Sequence, residues 1–170
     1  MGADIDLPST ASWPEGDPFP IGEAVWRDGE FFGHEADVQV ILRAAKAARP
    51  ERIILLGSRR IGKSSVALRA RSFLVRAHAC VYIDLTRIVT SQDAWGPGAL
   101  GRAVLQKIIE GLEGATHLTP GALGRDLTAE AFRTRVVAAV RRAVPDRRPV
   151  VFLDEFQALA QYDRSSLFEV

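Results

Sequence analysis

The sequence predicts an α/β fold, a parallel sheet with flanking helices, and three observations carry that expectation. The apolar runs Ile53-Ile54-Leu55-Leu56, Cys80-Val81-Tyr82-Ile83 and Val150-Val151-Phe152-Leu153 are short and continuous, and each ends at a glycine or an acid, as strands buried on both faces do. Between the first two runs, apolar residues recur at helical spacing. That makes a strand, crossover helix, strand unit, which favours a right-handed parallel layer arrangement. The composition, 47% hydrophobic and 25% charged over 170 residues, is that of one globular domain with a core.

Residues 1–30 hold Pro8, Pro14, Pro18, Pro20, Gly16, Gly22 and Gly29, which oppose regular structure and predict an extended, poorly ordered lead-in. The ordered core is expected over 31–170. Val38, Ile41, Leu42 and Ala45 trace a one-sided helix over 35–48 that Pro50 stops. The run at 53–56 follows as a first strand, ended by Gly57. After a glycine-punctuated turn, Val66, Ala67, Ala70, Phe73, Leu74 and Ala77 mark the crossover helix, and 80–83 a second strand ending at Asp84. Leu100, Val104, Ile108 and Leu112 predict one further helix and Phe132, Val136, Val140 and Val144 another, with Gly111, Gly114, Pro120 and Gly121 separating them. A third strand at 150–153 runs into Asp154-Glu155, and 156–162 turns helical.

Charge excludes little but directs nothing. With 22 basic and 21 acidic side chains the net charge is +1, so no overall field draws the chain to nucleic acid or membrane. The pairs Arg59-Arg60, Arg141-Arg142 and Arg147-Arg148 read as solvated surface. Cys80 is the single cysteine and sits in an apolar run, which predicts a buried thiol and fits a reducing cytoplasm. No basic stretch leads into an apolar one at the N-terminus, and nowhere do about 18 apolar residues run together, so secretion and membrane spanning are unsupported.

Two segments carry chemistry. Gly57-Ser58-Arg59-Arg60-Ile61-Gly62-Lys63-Ser64 fits GxxxxGKS, in which glycine freedom lets successive N–H groups turn inward around a chain of phosphates. The loop opens a helix, whose unpaired amides, including that of Ser65, add to the attraction. Lys63 reaches the β and γ phosphates, and Ser64 offers a hydroxyl to Mg²⁺. At the end of the third strand, Asp154 and Glu155 are two carboxylates that need compensation: Asp154 suits a hydrated Mg²⁺, and Glu155 suits polarising a water toward a γ-phosphate. Gly57, Asp84 and Asp154 share the carboxyl edge of the predicted sheet, where ligands of open parallel sheets sit. Asp84 reads equally as a support to the metal and as a turn or helix cap.

These residues resemble the P-loop NTPases, in particular the AAA+ and STAND ATPases. GSRRIGKS looks like the Walker A loop, VVFLDE like Walker B, CVYIDL like the second core strand, and Phe31-Phe32-Gly33-His34-Glu35 like the segment before the first helix. The resemblance implies a three-layer core, ATP and Mg²⁺ as ligands, and Phe32 and Gly33 as base contacts. His34 stands where the family has arginine. The family also sets the Walker A strand between two strands that follow Walker B, and only 15 residues follow Glu155. A core truncated after Walker B is therefore expected, with the first strand's ladder groups unpaired. The guanine-reading Asn-Lys-x-Asp is missing, which favours adenine.

The leading expectation is a Mg-dependent ATPase acting as a nucleotide-driven switch, with a protein partner or self-association. The rival is an ATP-binding interaction module that does not hydrolyse. A phosphotransferase and a DNA-linked role rank lower, because the acid pair suits water activation and no basic reader helix stands out.

Overall fold

A computed structural model describes residues 24–27, 31, 33–49, 51–90, 99–124, 128, 130, 134 and 136–161. In chain order these form α1 (Glu35–Lys46), α2 (Lys63–Leu74), β1 (His78–Asp84), α3 (Leu85–Val89), α4 (Ala99–Thr116), α5 (Val137–Ala143), β2 (Arg148–Asp154) and a 3-10 turn (Phe156–Gln161). The chain is α/β, and β1 and β2 pair in parallel from His78↔Arg148 to Asp84↔Asp154. Of the expected lead-in over 1–30, residues 1–23 and 28–30 lie outside the described residues, as do 162–170.

Strand alternation sorts the core into two faces. Ala79, Val81 and Ile83 of β1 pack with Leu85, Ile88, Leu100, Ile108, Ile109, Leu112, Val136 and Val140. Cys80 joins Val38, Ile41, Val66, Ala70 and Leu74 of α1 and α2, with Val150, Phe152 and Leu55 against them. Cys80 is thus the buried thiol the sequence predicts, and burial raises its pKa to about 11.

The run at 53–56 departs from the sequence reading in forming no strand and agrees with it in leaving its ladder groups unpaired. Residues 51–58 make no ladder hydrogen bonds, and Ile54 and Leu56 are 79% and 88% exposed. Among the described residues no strand lies beside them, and an apolar run without a neighbour has nothing to donate to or accept from. The same lack leaves β2 only half covered, with Val151 and Leu153 exposed.

A second departure is α4, which runs unbroken through Gly111 and Gly114 where a separation is expected. Gly111 is there for approach. A Cβ built on it would meet Val81 Cγ1 at 2.4 Å and Cγ2 at 3.1 Å. Val81 is 4% exposed and β-branched, so it has little room to turn away. Gly111→Ala should therefore destabilise by about 1–3 kcal/mol despite alanine's better helix propensity, lowering the thermal midpoint by several degrees. An unchanged or raised midpoint would show that the helix and strand can separate freely.

The amino ends of the strands are fastened by arginine, which corrects the solvated reading of Arg147-Arg148. Arg147 Nη2 donates to Val75 O (2.7 Å) and His78 O (2.9 Å), and its Nη1 to Ala115 O (3.5 Å). Arg148 donates to Ala47 O. Glu113, 5% exposed, accepts from the backbone N–H groups of Gly121 and Leu123, both at 3.0 Å, and so holds the turn after α4. No described helix is long and apolar enough to cross a membrane.

Candidate functional site

The carboxyl end of the sheet collects the chemistry. Gly57 leads into a turn in which Ile61 N donates to Ser58 O, and a Cβ on Gly57 would meet Ile61 Cγ2 at 2.9 Å. Gly62, at φ 93°, caps α2 with no side chain bonded to the first-turn amides and no acid in that turn. Among the described residues no side chain bonds the amides of Lys63, Ser64 and Ser65, the condition under which a helix start attracts anions. Lys63 folds into the loop, its Nζ donating to Gly57 O at 3.1 Å and Ser58 O at 2.7 Å. Arg59, Arg60 and Ile61 are exposed on the rim.

Ser65 sits differently from Ser64. Its hydroxyl accepts from Val25 N at 3.0 Å, so what it can offer a phosphate is its backbone N–H. That bond, with Arg69 Nη1 donating to Trp26 O at 3.1 Å, seats residues 24–27 on α2.

Asp154 ends β2 on the same sheet face as Tyr82 and Phe152, the face that packs toward α2. Its Oδ1 accepts from Glu155 N at 2.9 Å, and its Oδ2 accepts from the Tyr82 hydroxyl. Burial first, then the Asp154 carboxylate, hold the Tyr82 phenol well above its ordinary range, while the nearby Ser64 hydroxyl opposes the rise. The phenol stays a donor to Asp154, with the Ser64 hydroxyl near it. One oxygen from each motif therefore lies close to the same group. Sequence reasoning missed Tyr82, because an aromatic in an apolar strand reads as core.

Glu155 follows in a left-handed conformation, φ 55°, with its carboxylate accepting from Gln157 Nε2. Arg60 (φ 64°) and His34 (φ 59°) share that rare backbone, and among the described non-glycine residues only His117 shows it outside this region. Such positions cost about 1–3 kcal/mol each and gather where geometry is fixed for function.

Gly33, at φ 74°, and His34 lead into α1 beside the loop. The His34 ring lies 3.8 Å from where a Gly62 Cβ would stand, and its Nδ1 pairs with Asp37 Oδ2 at 2.8 Å. Gly33 is exposed, and Phe32 lies outside the described residues. Asp84 resolves toward the capping alternative: its Oδ1 accepts from Thr86 N at 3.0 Å at the start of α3, and its Oδ2 pairs with Arg87 at 3.5 Å.

Lys63, Ser64, Tyr82, Asp84, Asp154 and Glu155 open into one broad cavity of about 3070 Å³, whose wall continues along Ile53, Ile54, Leu55 and Leu56 on one side and Val151 and Leu153 on the other. That is several times the roughly 300–1,000 Å³ of an ordinary ligand site, so the cavity is the site plus an apolar slot beside β2. Comparison with family models, with curated proteins and with solved structures finds no match for this chain.

Proposed function

We propose that this chain binds ATP with Mg²⁺ through the loop at 57–65 and the Asp154-Glu155 pair, and that nucleotide acts on it as a conformational switch of the P-loop ATPase kind. The observation that carries the reading is the Tyr82 hydroxyl bonded to Asp154, with the Ser64 hydroxyl near it and Lys63 folded into the loop. In that arrangement the loop amides and Lys63 hold the phosphates, and Ser64 and Asp154 are the residues that would hold the cation. The donor set suits Mg²⁺: one hydroxyl and one carboxylate leave room for waters and phosphate oxygens. When bound, the metal supplies positive charge to the phosphate oxygens. Glu155, at the exposed end of β2, accepts a proton from the attacking water.

A second reading, an ATP-binding interaction module without hydrolysis, draws support from two observations. Glu155 is bonded to Gln157, and among the described residues 53–56 have no strand neighbour and β2 has one along a single edge. Further strands seated in that slot would complete the sheet before the switch operates.

Calorimetric titration with ATP, with and without Mg²⁺, tests the binding common to both. Saturable binding tightened by Mg²⁺ is expected, and at a hundredfold excess over Kd it should stabilise the fold by about 2.7 kcal/mol in a melt. Absence of binding under both conditions removes both readings, and phosphate release separates them.

A further inference from the structure

We infer that Tyr82 is the positioning residue of the metal half of this site, its hydroxyl holding Asp154 turned toward Ser64 so that both oxygens bear on one cation. The inference rests on the proposed Mg²⁺ and ATP binding, and it adds a residue that neither motif contains.

Three observations lead to it. Parallel register sets Tyr82 opposite Phe152 and two residues before the strand end, so its side chain leans along the sheet toward Asp154, with its ring 6.5 Å from that of Phe152. The ring shares its sheet face with Phe152, and rotation away would cost the contact between the two rings. The hydroxyl then meets Asp154 Oδ2, while Oδ1 takes the Glu155 N–H, so the carboxylate is held by two donors and keeps lone pairs free for another group. Ser64 lines the same cavity as Tyr82 and Asp154, close enough to oppose the rise at the phenol.

A carboxylate on a strand end is otherwise free to swing about its side-chain torsions, and a cation that must order it loses affinity. Outer partners that orient a ligand typically change metal affinity about 10- to 100-fold when removed. Phenylalanine keeps the ring and deletes only the hydroxyl.

The test measures ATP affinity by calorimetry in Mg²⁺ and in EDTA, for the parent and for Tyr82→Phe, each also in an Asp154→Ala background. Expected in Tyr82→Phe is a 10- to 100-fold smaller gain in affinity from Mg²⁺, with affinity in EDTA within about twofold of the parent. In the Asp154→Ala background the same change should add nothing, since it acts through that carboxylate. A retained or larger Mg²⁺ gain in Tyr82→Phe overturns the inference, as does a further loss in the Asp154→Ala background. A parent that binds no ATP sinks the functional reading itself, and one that binds ATP but gains nothing from Mg²⁺ removes the metal site and Tyr82's part in it. Should Tyr82→Phe fail to fold, Tyr162→Phe leaves Tyr82 as the single tyrosine of two. Its resonance Raman bands should then shift on adding Mg²⁺ with ATP, and not with ATP alone; unmoved bands overturn the assignment.

Discussion

Lys63→Ala should lower ATP affinity by at least about 100-fold while leaving the ligand-free fold within about 0.5 kcal/mol of the parent. The two halves of that result have separate causes. In the free molecule the ammonium bonds two loop carbonyls, Gly57 O and Ser58 O, at an exposed place where water replaces it at little cost. Against a triphosphate the same ammonium makes charge-assisted bonds inside a turn of amides, worth about 1.5–3 kcal/mol each, and water is a poor substitute. Calorimetry and a thermal melt read the halves independently. Equal affinity in parent and variant would mean that the loop at 57–64 holds no phosphate.

Glu155→Gln should leave ATP and Mg²⁺ binding near the parent value and lower phosphate release by about 10²- to 10⁴-fold, the range that general-base catalysis supplies. Glutamine keeps the size and the bond to Gln157 but cannot accept a proton. The left-handed backbone at Glu155 is unchanged by the substitution, so the strain it carries does not confuse the comparison. Turnover equal in both proteins would remove Glu155 from the chemistry. Parent protein that binds ATP and releases no phosphate favours the interaction module.

The two observed strands were legible because 80–83 and 150–153 are apolar runs long enough to be paired by each other, and their pairing covers each on at least one edge. The run at 53–56 has the same composition, yet it is no strand here, since a strand is a relation to a neighbour as well as a property of residues. Glycine misled in α4: at Gly111 it marks contact with Val81 rather than an end. For the candidate site, the GxxxxGKS spacing singled out the loop and the end of an apolar run singled out the acids, and both lie at the carboxyl end of the sheet. Tyr82 and His34 could not be found that way. Each reaches the site through tertiary register, Tyr82 by parallel pairing and His34 by the docking of α1 beside Gly62. Arg147 escaped for a similar reason, its partners being carbonyls distant in sequence.

Arg147 also gives the molecule a mechanical asymmetry. One guanidinium gathers the exit of α2, the entry of β1 and the close of α4 at a single knot, next to the first residue of β2. At the opposite rim the side-chain tie across the two strands is the phenol bridge, beside a loop of exposed residues. Leverage follows from that: a small spreading of the cradle would swing the elements about the arginine knot as a fulcrum, and displacement would grow with distance from it along the strands.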